Sequence, residues 1–481
     1  MQFNSYVFIL AFLPLLILSY FTLNKISPAL GKVALIIGSA LFYLYGGWYN
    51  ASFLGISMLI NYLLALAVAR FHKKKALLRL DIICNVGILL FFKGSNICIS
   101  LINASLPKEE TPLKAIILPL GISFLTFQQI MYAVNVAQKK ISLHLLDYLA
   151  YILYFPKILM GPLNEPEEFL RQLDDNSLKR IDWYNIACGI KTFSFGLFKK
   201  VILADTFAAA VNWGYASLET ATSMDLILVM LSYTFEIYFD FSGYSDMATG
   251  ISSMLNIQLP INFDSPYKAV SIRDFWKRWH ISLTGFFTRY IYIPMGGSKE
   301  GKARTYLNTM VVFLISGIWH GSNWTFILWG FLHGAFSIFD RIFEKRQEKI
   351  NIIVRWSATF LVVNILWLLF RSESIVQWAS ILDKIFTFQD MSVSDGLLYS
   401  FVLPETAFLL EMLHLVSTNG RVRGFSMLLF ILSGYGICLI PENNYRNLKK
   451  NSWPLLLPSY IAFLWSFLCL SSESVFVYFN F

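Results

Sequence analysis

The chain has 481 residues, of which 56% are hydrophobic and only 14% are charged. Soluble domains carry about 25% charged residues, so this composition excludes an ordinary soluble globular protein. The formal net charge is +9, but nucleic acid is not expected as a partner of so apolar a chain. Aromatic residues reach 17%, which suits packed membrane helices with aromatic belts at the bilayer surfaces.

Long apolar segments recur along the chain, and several approach the roughly 20 residues that a helix needs to cross a bilayer. Clear examples are Tyr6–Leu23, Ser52–Val68, Thr305–Trp319, Trp324–Phe339 and Ile352–Phe370. They predict an all-α, polytopic membrane protein with roughly ten to twelve transmembrane helices. No tandem repeat or flexible linker divides the sequence, so we expect one membrane domain over residues 1–481.

The distribution of basic residues predicts the orientation in the membrane. Cytoplasmic loops are enriched in lysine and arginine. The run from Arg70 to Arg79 and the block from Arg341 to Arg355 are therefore expected in the cytoplasm. Counting spans back from Arg70 places the N-terminus outside. The first apolar segment lacks a basic start and a cleavage site, which predicts a retained span.

Two apolar stretches are poor candidates for simple spans. Tyr148–Leu163 contains Pro156 and Pro162, and Cys188–Val201 contains three lysines. Irregular backbone at membrane depth is tolerated where it is buried in protein or lines a wet cavity. We therefore expect re-entrant or interfacial helices in both stretches, a feature that transporters share with membrane enzymes.

Acidic residues at membrane depth form one candidate site. Glu236 and Asp240 are four residues apart, which places them on one face of a helix, and Asp246 follows. Intramembrane acids usually pair with basic or backbone donors. We predict that these carboxylates hold helices together, and an ion or proton relay is the alternative.

The stretch from position 268 to position 304 contains eight basic residues and only two acidic ones. They are Lys268, Arg273, Lys277, Arg278, Arg289, Lys299, Lys302 and Arg304. This pattern is typical of an amphipathic segment lying on anionic lipid. It is also typical of a cytoplasmic vestibule for an anionic, phosphate-bearing donor, and both interpretations can hold together.

His320 is the strongest candidate for a catalytic residue. It lies at the end of an apolar helix, and ionisable groups inside a membrane are energetically costly. A histidine there suits a general base, and a packing role is the alternative. If the helix continues, Ser316 and either Asn323 or Trp324 share its face. His280, at the basic edge, is the second candidate, while His333 falls on a different face of a straight helix.

Motifs of other chemistries do not occur in the sequence. There is no glycine-rich phosphate loop, no Gly-x-Ser-x-Gly elbow and no His-Glu-x-x-His zinc motif. The cysteines are scattered without metal-ligand spacing and are expected to be buried thiols: Cys84, Cys98, Cys188, Cys438 and Cys469. We expect neither a metal nor a bound cofactor, and these residues alone leave enzyme and transporter open.

Six segments, in order, resemble the membrane-bound O-acyltransferase family, in particular the branch of the alginate O-acetyltransferase membrane subunit. They are Gly121–Gln128, Phe155–Pro162, Tyr238–Ala248, Arg273–Leu283, Tyr292–Gly297 and Ser316–Trp329. The resemblance covers nearly the whole chain, with teichoic-acid D-alanyl transferase as a more distant relative. It implies helices around a central tunnel, with His320 as the catalytic histidine and His280 as its paired partner.

The resemblance also implies a reaction and its partners. Acetyl from cytoplasmic acetyl-CoA would pass across a bacterial cell membrane to an extracytoplasmic polysaccharide, finished by an SGNH-type acetyltransferase or another acyl-relay partner. Membrane lipids are further partners. The candidates along the donor path are Lys277, Arg278, Trp279, Trp319, Asn323 and Ser316.

The sequence is also compatible with other acyl transfers. D-alanyl or other acyl transfer to a cell-wall polymer is one alternative, and a non-catalytic lipid or precursor transporter is another. Asn135 stands where the branch is expected to have aspartate, and Thr288-Arg289-Tyr290 replace an Arg-Asp-Tyr. These departures leave the acceptor polymer undetermined.

Overall fold

The computed structural model describes residues 1–71, 74–105, 113–114, 116–321, 323–403, 407–408, 412, 420–450, 453–470 and 476. Within these ranges every regular element is helical, which confirms the predicted all-α fold. The α-helices are α1 (Leu13–Ile26), α2 (Pro28–Leu44), α3 (Trp48–Arg70), α4 (Lys74–Ser105), α5 (Ile122–Ala137), α6 (Leu145–Leu153), α7 (Phe155–Ile158), α8 (Pro166–Asp174), α9 (Trp183–Phe198), α10 (Asp205–Ala216), α11 (Ser223–Met254), α12 (Ile272–Arg278), α13 (Ile281–Phe287), α14 (Gly301–His320), α15 (Trp324–Gln347), α16 (Ile352–Arg371), α17 (Ile375–Thr387), α18 (Asp395–Ser400), α19 (Gly420–Leu439) and α20 (Trp453–Leu468). Shorter π-helical segments are Phe8–Phe12, Lys199–Ala204 and Thr288–Tyr292.

Six helices in the described part of the chain are long and apolar enough to cross a bilayer. They are Phe8–Ile26, α3, α11, α15, α16 and α19. Two shorter apolar helices, Pro28–Leu44 and Pro454–Leu468, accompany them. The protein is therefore a multi-pass membrane protein, as predicted. The expected total of roughly ten to twelve spans goes beyond these helices and stays a prediction.

The contacts divide the chain into two compact units. Unit 1 comprises Met1–Phe193, Tyr244–Pro260 and Leu448–Leu456, and unit 2 comprises Ser194–Gly243, Ile261–Asn447 and Leu457–Phe481. Three of the boundaries fall inside helices, after Phe193 in α9, after Gly243 in α11 and after Leu456 in α20. The single domain expected from the sequence is not tested by this division and stays a prediction.

Unit 1 contains the proline-interrupted stretch that was predicted to be a poor span. The helix α6 ends at Leu153, and α7 has only four residues, so neither can cross a bilayer. At Gly161 an added Cβ would lie 2.4 Å from the Pro156 carbonyl oxygen, so the chain can fold back here only on a glycine. In the second stretch α9 runs on into the π-helical segment Lys199–Ala204, and its expected re-entrant or interfacial position stays a prediction.

A layer of polar side chains lies inside unit 1. The Asn85 side-chain amide on α4 donates to the Asn61 Oδ1 on α3 at 2.6 Å. The Gln129 amide on α5 donates to the Ser57 hydroxyl at 3.2 Å and accepts from the Tyr148 hydroxyl at 2.8 Å. Hydrogen bonds of this kind join α3, α4, α5 and α6 at sites that apolar packing alone would not specify.

Asp81 is the exception in this layer. It is fully buried, and neither of its carboxylate oxygens has a hydrogen-bond partner among the described residues. Because an unpaired buried carboxyl is costly, we expect Asp81→Asn to raise the midpoint of thermal unfolding by roughly 2–4 °C. Differential scanning fluorimetry of the purified protein measures it. The control Asn85→Leu should lower the midpoint, since it breaks the bond to Asn61. A lower midpoint for Asp81→Asn would contradict the prediction.

Unit 2 is built around the first half of α11, where most side chains are buried. Leu226 and Met230 of α11 pack with Leu368 of α16 and with Ile381 and Ile385 of α17. This core brings α16 and its C-terminal aromatic residues against the segment that carries the candidate histidines.

The cysteines follow the expectation of burial with two departures. Cys188, Cys438 and Cys469 are buried, Cys84 is partly buried and Cys98 is exposed. The prediction was wrong for Cys98. A helix in a bilayer can turn apolar side chains outward at little cost, because lipid tails are as apolar as a protein core.

Candidate active site

His320 lies in a box of aromatic rings in unit 2. It is the last residue of α14 and is 4% exposed. Its ring lies 4.5 Å from that of Trp319, 5.3 Å from Trp329 on α15 and 5.1 Å from Phe370 on α16, measured between centroids. Such apolar surroundings exclude water and strengthen any electrostatic interaction made there.

The helical hairpin α14–α15 creates this box. Gly317 and Gly330 lie where the two helices cross, and an added Cβ at either would come within 2.5 Å of a backbone oxygen of the other helix. Gly321 is extended and ends α14, after which α15 starts at Trp324. The helix therefore does not continue past His320, and Asn323 does not share its face as the sequence had suggested.

His280 is held in a strained conformation between α12 and α13. Its φ is +46°, a region that residues other than glycine rarely adopt. The Asn262 Oδ1 accepts from the Ser282 hydroxyl at 2.8 Å and lies 3.1 Å from the His280 Nδ1. Because that oxygen is an acceptor, Nδ1 donates and Nε2 carries the lone pair. Burial lowers the pKa of His280 to about 3, so the ring is neutral at physiological pH.

Four tryptophans, Trp276, Trp279, Trp329 and Trp367, form a cluster that links the two histidine regions. The Trp279 ring, next to His280 in sequence, lies 4.9 Å from that of Trp367. Trp367 stacks on Trp329 at 6.0 Å, and Trp329 contacts His320. The two histidines thus lie around one tryptophan cluster, and their pairing in catalysis stays a prediction.

His333 is a third buried histidine at this cluster, which the sequence reasoning had set aside. The Trp276 Nε1 donates to the His333 Nδ1 at 3.1 Å. The His333 ring lies 4.7 Å from Trp329, so His320 and His333 contact the same indole. Reasoning on a straight helix failed because the chain reverses after Gly321, and that glycine was the signal that could have revealed it.

A cavity of about 250 Å³ opens beside this cluster. Its wall is mostly apolar and includes Trp276, the serines Ser316 and Ser337, and the basic residues Arg273, Lys277 and Arg341. Ser316 lies one helical turn before His320. Two of the six candidates along the donor path, Lys277 and Ser316, therefore line the cavity.

The other four candidates lie elsewhere in unit 2. The Arg278 Nε donates to Asp274 at 2.9 Å, and Trp279 is buried in the tryptophan cluster. Trp319 packs on His320, and the Asn323 amide donates to the Glu373 carbonyl oxygen. Trp319 shapes the surroundings of His320, while Asn323 fixes the turn that follows it.

The predicted acidic residues lie on α11. The Lys200 Nζ, in the π-helical segment, is 2.8 Å from Asp240 and 2.9 Å from Asp205. Lys200 and Asp240 are both 1% exposed. Glu236 lies one turn before Asp240, and Asp246 lies further along α11 in unit 1. Among the described residues, no group of three or more His, Cys, Asp or Glu side chains could hold a metal ion.

Known proteins resemble this chain over much or all of its length. A model described as "MBOAT, membrane-bound O-acyltransferase family" matches residues 137–376. The chain is 35% identical to a peptidoglycan O-acetyltransferase of Helicobacter pylori, over 100% of this chain and 97% of that protein. It is 34% identical to a probable alginate O-acetylase of Pseudomonas syringae, over 82% of this chain and 77% of the relative. A teichoic acid D-alanyltransferase of Bacillus subtilis is 29% identical, over 53% of this chain and 68% of its own length.

Proposed function

Because the chain belongs to the membrane-bound O-acyltransferase family, we propose that it takes an acetyl group from cytoplasmic acetyl-CoA and moves it across the membrane to O-acetylate an extracytoplasmic polysaccharide. The protein is an acyltransferase, in agreement with the resemblance seen in its motifs. The observation that carries the proposal is the position of His320, in an aromatic box one turn from a cavity with basic residues in its wall.

The cavity suits the donor by shape and charge. The cavity has a volume of about 250 Å³ and a mostly apolar wall. This size and polarity match an acetyl group with part of the pantetheine arm. Arg273, Lys277 and Arg341 supply positive charge for the phosphates of coenzyme A. These basic residues belong to stretches predicted to face the cytoplasm, where acetyl-CoA is made, and that orientation also places the N-terminus outside.

The reaction proceeds by nucleophilic attack on the thioester. The acceptor hydroxyl oxygen forms a bond to the carbonyl carbon while His320 takes the hydroxyl proton. The carbon–sulfur bond then breaks, and the thiolate of coenzyme A leaves with the proton that His320 returns. The neutral His280, held by Asn262 through Nδ1, stays uncharged through the cycle and orients the groups around it.

The acceptor is a cell-envelope polysaccharide of a bacterium, reached directly or through an extracytoplasmic SGNH-type acetyltransferase. Two relatives with high coverage support this choice, since one is named for peptidoglycan and another for alginate. Both polymers offer sugar hydroxyl groups. The D-alanyltransferase relative covers 53% of this chain and supports D-alanyl transfer less well.

Inside-out membrane vesicles from cells that make the polymer test the proposal. The vesicles receive [¹⁴C]acetyl-CoA, and label released from the polymer by mild base is counted as acetyl ester. We expect label to enter the polymer only when the protein is present. Absence of labelling with acetyl-CoA, together with transfer from a D-alanyl carrier thioester, would contradict the proposed donor.

Reversing one charge at the cavity should weaken donor binding. Lys277→Glu is expected to raise the KM for acetyl-CoA about tenfold and to change kcat little, because the cation acts equally on the bound donor and the transition state. The vesicle assay at several acetyl-CoA concentrations measures both constants. The matched control is Lys302→Glu, in the same basic stretch but outside the cavity wall, which should change KM less than twofold. Equal effects of the two changes would contradict a donor site at this cavity.

A further inference from the structure

In the tryptophan cluster and on the adjacent His333, three ring nitrogens have no hydrogen-bond partner among the described residues. They are Nε1 of Trp329, Nε1 of Trp367 and Nε2 of His333, all on side chains at most 1% exposed. The large majority of buried side-chain polar atoms in folded proteins have a hydrogen-bond partner, so three such groups close together indicate a place for a ligand or a water.

The proton of His333 can be assigned to Nε2. Its Nδ1 accepts the hydrogen bond from the Trp276 Nε1 and therefore carries the lone pair. In a neutral imidazole the other nitrogen then bears the hydrogen. Trp276 thus fixes the tautomer and makes Nε2 of His333 a hydrogen-bond donor.

The three donors lie close together and close to His320. The His333 ring is 4.7 Å from Trp329 and 6.5 Å from Trp367, and the two indoles are 6.0 Å apart. His320 lies 5.3 Å from Trp329. A group bound by these donors would therefore be next to the proposed general base.

The cavity is lined by residues next to His320 and His333. Trp276, which holds His333, lines the cavity. Ser337, one turn after His333, also lines it, and its buried hydroxyl has no partner among the described residues. A donor seated in the cavity would thus present its reactive end to the turns of α14 and α15 that carry His320 and His333.

We propose that His333 is a further catalytic residue, whose Nε2–H binds the carbonyl oxygen of the acyl donor. This inference rests on the proposed function. As the acceptor oxygen bonds to the carbonyl carbon, the carbonyl π electrons move onto the oxygen, and the Nε2–H stabilises that negative charge. When the carbon–sulfur bond breaks, the carbonyl re-forms and His333 keeps its proton throughout. Donors of this type contribute about 10²–10³-fold to kcat.

Two substitutions at His333 distinguish a role of the Nε2–H donor from a role of the aromatic ring. Glutamine places an amide N–H near the position of Nε2, whereas phenylalanine keeps an aromatic ring and removes the donor. In the vesicle assay we expect His333→Phe to lower kcat at least about 100-fold with KM for acetyl-CoA within threefold of the wild type, and His333→Gln to stay within about tenfold.

A third variant controls for lost packing. Trp276→Phe removes the Trp276–His333 hydrogen bond, as His333→Phe does, but it keeps the imidazole. The tautomer of His333 is then no longer fixed, and a large share of the molecules still carries the hydrogen on Nε2. We expect a loss in kcat below about tenfold. Membrane levels and the thermal midpoint of each purified variant show that it is folded. If His333→Phe stays within tenfold of the wild type, or if His333→Gln is as inactive as His333→Phe, the proposal is overturned.

The outcome also distinguishes this inference from the proposed function. If wild-type vesicles are labelled and His320→Ala abolishes labelling while His333→Phe does not, only the role of His333 fails. If wild-type vesicles take no label from acetyl-CoA, the proposed function fails and the role of His333 fails with it.

Discussion

His320→Ala is expected to lower the rate of polymer acetylation about 10³-fold, within the range for loss of general acid–base catalysis. The residue ends α14 in a box formed by Trp319, Trp329 and Phe370, none of which can accept a proton in its place. The change removes the group that accepts the acceptor proton and returns it to the leaving thiolate. The vesicle assay with [¹⁴C]acetyl-CoA measures the rate, normalised to the amount of protein in the membrane.

A matched control is available in the same chain. His144 is exposed at the start of α6, so His144→Ala should leave the rate unchanged. An intermediate result is informative too: if His320→Ala lowers the membrane level and the rate in equal proportion, the histidine is a packing residue. Wild-type rates at normal levels of His320→Ala would remove the basis of the proposed mechanism.

Lys200→Met is expected to have the largest effect on stability. The Lys200 ammonium is almost fully buried between Asp240 and Asp205. Its removal takes the cation away from Asp240, which is 1% exposed, and from Asp205, which is 23% exposed. Breaking a buried ion pair such as Lys200–Asp240 costs about 3–5 kcal/mol. We expect a lower thermal midpoint by several degrees and a lower membrane level. The triple change Lys200→Met, Asp205→Asn, Asp240→Asn should recover most of the loss, since no unpaired charge remains.

A partly buried lysine provides the comparison. Lys32 in unit 1 also bridges two acids, Asp147 and Asp174, but its side chain and that of Asp147 are 13% exposed and Asp174 is 57% exposed. Water can solvate these partners, so Lys32→Met should cost about 1 kcal/mol or less. If Lys200→Met and Lys32→Met lose equal stability, burial does not determine the free energy lost when the lysine is removed.

The same experiment tests the alternative of an ion or proton relay at the acids of α11. A purely structural cluster predicts that the triple variant, once stable, transfers acetyl groups at a rate close to that of the wild type. A stable triple variant without activity would instead place Asp240 and its neighbours in the reaction.

Local sequence determined much of the helical framework. The predicted segment Ile352–Phe370 is α16 to within one residue, and Trp324–Phe339 begins where α15 begins. The four-residue spacing of Glu236 and Asp240 put both on α11, and the prolines at 156 and 162 lie where α6 and α7 are too short to span. Such features follow from sequence because apolar runs, caps and prolines act within a few residues of the chain.

The partners of those helices were decided only by tertiary packing. Hydropathy marked His320 as a costly buried group, but the contact of His320 and His333 with one tryptophan depends on the close crossing of Gly317 and Gly330. Lys200 likewise gained Asp240 as a partner from the packing of a π-helical segment on α11. Periodicity along a helix specifies a buried face, whereas the residue that meets this face depends on helix crossings between segments far apart in the chain.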